Sequence, residues 1–162
     1  MSTELKDTEQ TVSNLPEGWY PASSEDLKEI LRTYLRAVSD RQLPQETLAD
    51  LESSVLLVNR KYGWVALSRI IKGVSGFVHG AKWDGVSADL GPEFVKVCRW
   101  AMRQGNLLVL IAMIPEHNKG ARRVVESAGF FQTGFIPLLD TYDQLPRNVE
   151  VWAFRGDVTE EG

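Results

Sequence analysis

Leu107 to Ile114 is an unbroken apolar run, LLVLIAMI, closed by Pro115. Such a run suits a strand covered on both faces, as in a parallel sheet. The residues after Pro115 narrow the possibilities further. Asn118 is a good N-cap, and Ala121, Val124, Val125 and Ala128 fall at helical spacing on one face. Gly129 sits where a left-handed C-cap belongs, with Phe130 after it to close the apolar contact. A second strand is expected to begin near Thr133-Gly134. The segment from Asn106 to Phe135 therefore reads as buried strand, tight turn, short amphipathic helix and strand.

The remaining elements are read from similar signals. Gly18 to Pro21 is a candidate first strand. Ser23 or Ser24 caps a helix whose buried stripe is Leu27, Ile30, Leu31, Tyr34, Leu35 and Val38. Pro44 opens a second helix, with Leu48 and Leu51 inward. Val55–Arg60 and Gly63–Ile71 are β-rich runs around a Lys61-Tyr62-Gly63 turn, and Val74–Lys82 is a third strand. Trp83 to Leu90 is a loop. A helix begins near Asp89 or Leu90, as Pro92 requires, and Gly105 stops it. A loop holding Pro137 and Pro146 leads to a last strand, Val149–Phe154. The order is β-α-α-β-β-β-α-β-α-β-β, and its middle β-α-β unit should be parallel and right-handed.

With 162 residues, one domain with one core is expected. We place it at residues 16–156, between polar tails at 1–15 and 157–162. A net charge of -4 argues against a nucleic-acid binder, which would normally show a basic face. No apolar run approaches the roughly 18 residues of a membrane span. The N-terminal MSTELKDTEQTVSN is polar and acidic, unlike a signal or transit peptide. A cytoplasmic protein is therefore expected. Cys98, the single cysteine, excludes an internal disulfide and lies on the apolar side of its helix, as a core thiol rather than a nucleophile. There is no His/Cys/Asp cluster at metal spacing, no Gly-x-Ser-x-Gly elbow and no Walker-type loop.

Asn118-x-x-Ala121, then Gly129-Phe130, then a strand near Thr133-Gly134 resembles the C-terminal half of the GNAT N-acetyltransferase superfamily. The element order agrees with that family too, so the resemblance covers nearly the whole ordered chain. The spacing and the Trp83-Asp84-Gly85 loop look most like small GNAT-like proteins encoded by tailed bacteriophages, which would place the chain in host cytoplasm or a virion.

The resemblance implies an α/β (α+β) fold of the GNAT acyl-CoA N-acyltransferase type: a mixed central sheet with splayed parallel strands and flanking helices. The splayed strands would be Val74–Lys82 and Leu107–Ile114. Acetyl-CoA would enter the gap as co-substrate, without a metal, and a primary amine would attack it directly. The implied cofactor-binding residues are Gly85, Val86, Ser87 and Ala88, under the pyrophosphate, and Asn118 and Ala121, beside the pantetheine arm. Gly85 and Ser87 are the best phosphate donors of that loop. Lys119, Arg122 and Arg123 either meet nucleotide phosphates or form a solvated helix face.

His79, beside the gap, is the best-placed general base, with an unperturbed pKa near 6.5. Glu116 and His117 are second choices. Asn118 is the other implied catalytic residue, ordering the acyl end.

The chain departs from the family pattern twice. The usual Gln/Arg-x-x-Gly-x-Gly/Ala loop is replaced by Trp83-Asp84-Gly85-Val86-Ser87-Ala88-Asp89. In many of these enzymes a Tyr stands four residues before the Gly-Phe pair and protonates the leaving thiolate; Val125 stands there. Tyr142 is a weak substitute. Two readings result. One is an acyl-CoA-dependent N-acetyltransferase. The other is a catalytically inactive GNAT-fold structural or assembly protein, such as one of a phage particle, with a protein partner held through the N-terminal tail or the Trp83 surface.

Overall fold

The computed structural model describes residues 12–37 and 44–155. The expectations for residues 1–11, Val38 and residues 156–162 lie outside these. The elements are β1 (Trp19–Pro21), α1 (Ser24–Ala37), α2 (Pro44–Glu52), β2 (Val55–Asn59), β3 (Gly63–Ile71), β4 (Ser75–Lys82), α3 (Gly91–Gly105), β5 (Val109–Pro115), α4 (Lys119–Ala128), β6 (Phe131–Tyr142) and β7 (Leu145–Phe154). Seven strands form one sheet in the order β1-β2-β3-β4-β5-β7-β6. Among the described residues only the β4–β5 pair is parallel. Helix α3 makes the crossover that a parallel pair needs.

The two faces of the sheet carry separate cores. On one, Ile30 of α1 and Leu51 of α2 pack with Val58, Trp64 and Ala66. On the other, Phe94, Val97, Cys98 and Trp100 of α3 and Val125 and Ala128 of α4 pack with Val78, Leu110, Ala112, Ile114 and Trp152. Strand β5 feeds the second core with alternate residues, which explains part of its apolar run. Cys98 is fully buried and its thiol is pushed upward by that burial, so it carries no thiolate chemistry.

Local signals act as read. Ser23 and Asp26 form a capping box: the Ser23 amide donates to Asp26 Oδ2 at 2.8 Å, and the Asp26 amide donates back to Ser23 Oγ. The Asn118 Oδ1 accepts from the Ala121 amide at 3.1 Å. Gly129 caps α4 with φ of 96°, and the Phe130 amide donates to the Val125 carbonyl at 2.9 Å. All five indole N–H groups find acceptors: Trp19 on Glu93, Trp64 on Thr33, Trp83 on Asn59, Trp100 on Ser13 and Trp152 on Glu150.

Three expectations need correction. The Pro137–Pro146 segment is not a loop: β6 and β7 form a long hairpin turning at Asp143-Gln144, both with positive φ. Pro137 is tolerated because β6 is an edge strand and its register shifts between Ile136 and Asp140. Pro146 is tolerated because β7 pairs with β5 only from Val149 onward. Second, α3 is capped at Asn106, in the left-handed region with φ of 51°, one residue beyond Gly105. Third, Val12 and Leu15 pack on the core and the Ser13 carbonyl accepts from Trp100, so residues 12–15 belong to the domain and not to a tail.

Candidate functional site

Strands β4 and β5 pair over three rungs only: Ser75 with Val109, Gly76 with Leu110 and Phe77 with Ile111. Beyond them β4 stays with β3 as far as Lys82, and β5 stays with β7 as far as Pro115. A wedge opens between the two strands, from Val78 and Ala112 onward. Each strand turns one backbone edge into it, and those N–H and C=O groups need partners.

A cavity of about 420 Å³ fills the wedge. Side chains alternate across a strand, so a gap between strands is reached from both faces. Phe94, Ala121, Val124 and Val125 line it from the α3/α4 side. Tyr34, Trp64, Asp50 and Ser54 line it from the α1/α2 side. The cavity thus passes through the sheet. Asn118, Ala121 and His79 all line it.

His79 stands on the α1/α2 side, opposite Ala66 in the ladder. Its ring meets the edges of Tyr34 at 5.0 Å and Trp64 at 5.7 Å. Burial among these rings pushes its imidazole down to about 4, only partly opposed by the Asp50 carboxylate. The Nε2 atom has no hydrogen-bond partner among the described residues. His79 is therefore a neutral acceptor at pH 7 and a weaker base than an unperturbed imidazole.

Asn118 is both helix cap and cavity wall. With Oδ1 on the Ala121 amide, its NH₂ end keeps donor capacity. Arg122 turns to Glu150: its Nε donates to Glu150 Oε1 at 3.0 Å and its Nη2 to Glu150 Oε2, a bidentate pair that anchors α4 on β7. His117, a second choice as base, and Tyr142, the substitute acid, are drawn to each other. The His117 ring stacks on Tyr142, centroids 3.7 Å apart, and neither residue lines the cavity. Trp83 packs with the α1/α2 core and donates to the Asn59 carbonyl at 2.7 Å.

The loop from Trp83 to Leu90 contains a type II turn. The Val86 amide donates to the Trp83 carbonyl at 3.2 Å, and Gly85 has φ of 80° at the third position. A Cβ on Gly85 would meet nothing within 4 Å, so its requirement is conformational. Asp84 points to Arg32 of α1, at 2.7 Å from Nη1. Asp89 Oδ1 accepts from the Gly91 amide at 2.9 Å and from Ser127 Oγ at 3.2 Å. Leu90 stands at the N-cap position of α3 without a side-chain cap bond, and Asp89 before it accepts the first helical amide instead. Gly91 leaves room for this contact: a Cβ there would lie 1.6 Å from Ser127 Oγ. A second hollow lies here, bordered by Lys82, Ser87, Asp89, Arg123 and Glu126, and Val124 belongs to both cavities. Of Gly85, Val86, Ser87 and Ala88, only Ser87 borders it.

Sequence reasoning does not find Tyr34, Asp50 and Asp140 as site residues. All three line the cavity. In the sequence Tyr34 belongs only to a buried stripe. Asp50 follows no motif, and Asp140 lies in the segment whose prolines suggest a loop.

No family model matches the chain, and no curated protein matches it. Solved structures do. The ribosomal-protein-alanine N-acetyltransferase of Brucella melitensis is 16% identical with a TM-score of 0.68, over 85% of this chain and 98% of that one. A mutant of spermidine N-acetyltransferase SpeG from Vibrio cholerae is 15% identical with a TM-score of 0.68, over 84% and 91%. The acetyltransferase yncA of Salmonella typhimurium, solved with its cofactor acetyl-CoA, is 16% identical with a TM-score of 0.65, over 90% and 95%. At such identities the likeness bears on architecture, and with the wedge between β4 and β5 it leads to one statement: this chain has the GNAT acetyltransferase fold.

Proposed function

We propose that this chain is an acetyl-CoA-dependent N-acetyltransferase acting on a cationic primary amine by direct attack. The observation that carries the reading is the cavity that crosses the sheet at the wedge, walled by α3/α4 on one side and α1/α2 on the other. Two substrates meeting in one ternary complex need two faces of access to one point.

Acetyl-CoA would supply a thioester, whose acetyl carbon the amine attacks and whose sulfur leaves as a thiolate. The exposed backbone edges of β4 and β5 would bond the pantetheine amides as an added strand does. Ala121 keeps the wall low, and the Asn118 carboxamide orders the acyl end. A backbone N–H of the wedge strands would polarise the thioester carbonyl. Asp50 and Asp140, both on the cavity wall, favour a cationic acceptor. A spermidine N-acetyltransferase is among the structures similar to this chain.

His79 receives the proton late. An imidazole pushed down to about 4 cannot deprotonate an alkylammonium, whose pKa is near 10. It can accept once C–N bond formation has made the nitrogen far more acidic, directly or through water. Val125 gives no proton to sulfur, so the thiolate leaves unprotonated. The resulting pH profile should rise with deprotonation of the acceptor amine itself.

A thermal-shift titration with acetyl-CoA, against free CoA and ATP, tests the reading. A ligand that binds only the native state adds about 2.7 kcal/mol at a hundredfold excess over its dissociation constant. A saturable shift specific to acetyl-CoA is expected. No shift at millimolar ligand overturns the enzyme reading and leaves the assembly-protein reading standing.

A further inference from the structure

The head of α3 is where an acyl donor's pyrophosphate would be held by helix amides. The amides of this first turn can be followed one by one. Gly91 N–H donates to Asp89 Oδ1 at 2.9 Å. Pro92 has no N–H. Glu93 N–H and Phe94 N–H both donate to the Leu90 carbonyl, at 3.0 and 2.8 Å. From Gly91 to Phe94 every amide is thus engaged within the chain, and none of these is left for a phosphate oxygen.

The charge there is unsuitable as well. Asp89 already holds the anion position at this helix end, fixed by Ser127 of α4. Glu93, also within the turn, is taken up by the Trp19 indole and Lys96. In the adjoining hollow Lys82 and Arg123 face Asp89 and Glu126, two cations against two carboxylates. Asp84 is held by Arg32, and Arg122 by Glu150. The wedge, by contrast, keeps its exposed strand edges and the Asn118 carboxamide for the pantetheine arm.

We infer that the donor is recognised by its pantetheine thioester arm, with Asp89 excluding the pyrophosphate from the α3 terminus, so that a pantetheine thioester lacking the nucleotide is bound nearly as well as acetyl-CoA. Asp89 is then a specificity-determining residue. The inference rests on the acyltransferase reading above and deepens it.

Dissociation constants of acetyl-CoA and S-acetylpantetheine, measured on the full chain by titration calorimetry, decide the matter. The two constants are expected to lie within about tenfold, because a pyrophosphate held by several charge-assisted hydrogen bonds would add far more than that. Asp89→Ala uncovers the Gly91 amide and removes a charge. It should tighten acetyl-CoA by about tenfold and leave S-acetylpantetheine unchanged. Acetyl-CoA bound more than about tenfold tighter than S-acetylpantetheine by the unaltered chain overturns the inference while the acyltransferase reading stands. Binding of neither ligand overturns both. Should Asp89→Ala fail to fold, the ratio for the unaltered chain still decides.

Discussion

The α4 segment and the loop before α3 flank the same wedge, yet they are built differently. From Asn118 to Phe130 each local signal has one structural consequence: an asparagine cap, a buried Val125 and Ala128, a left-handed glycine, a closing amide. The segment is also anchored from outside by Glu150, which receives Arg122 and the Trp152 indole. From Trp83 to Leu90 the chain is a type II turn followed by irregular backbone, and its carboxylates are engaged by Arg32 and Ser127. One region is rigid by local rules and buried contacts. The other is held by a few polar ties between elements far apart in sequence. On the proposed reading, the pantetheine half of a GNAT-type site is kept here and the phosphate half is replaced.

The largest expected effect concerns the strand between these regions. His79 titrates near 4 in the folded chain and near 6.5 when unfolded. The unfolded state binds more protons in between, so stability is complete above about pH 6.5, falls as the pH drops and levels off below about 4. The loss should approach roughly 3 kcal/mol. Chemical denaturation at pH 7 and pH 4.5 should show it, and His79→Gln should flatten that part of the profile. An unchanged pH dependence would remove the buried-imidazole description.

Next comes the anchor of α4. Glu150→Ala deprives Arg122 and the Trp152 indole of their acceptor and should cost about 2 kcal/mol, read from urea midpoints at constant m. A loss under about 0.5 kcal/mol would mean that α4 stands on its apolar face alone.

Asn118→Ala sharpens the comparison at the site itself. Loss of the cap should cost about 1 kcal/mol, with acetyl-CoA affinity falling by more than that. Parallel melts and calorimetry would reveal it, and equal losses would reduce Asn118 to a cap.

The smallest effect should be in the loop. The Arg32 side chain is 53% exposed and that of Asp84 35%, and such partly exposed pairs contribute little. Asp84→Ala should leave the melting midpoint within error. A clear drop would make the loop as structured as α4.

The legible parts share a property. The caps at Ser23 and Asn118, the stop at Gly129, the apolar stripe of α3 and the buried β5 all depend on residues within a turn or two of each other. The β6–β7 hairpin is hidden because Pro137 and Pro146 signal a loop unless the strand's neighbours are known, and edge position is a property of the whole sheet. The same holds for the site. His79 stands out in the sequence because it lies on a strand beside the expected gap, but its low pKa comes from Tyr34 and Trp64 closing over it. Asp50 and Asp140 reach the cavity from α2 and β6.

The sequence by itself determined the order of elements, the caps and the strand-helix-strand unit ending at Gly129, because hydrophobic period and capping chemistry act over a few residues. Only the tertiary structure decided how far β4 and β5 stay paired, which carboxylates face the cavity, what burial does to His79 and where the amides at the head of α3 are engaged. Those depend on which backbone edges and side chains are brought together across the sheet, and that choice is made by the packing of distant elements.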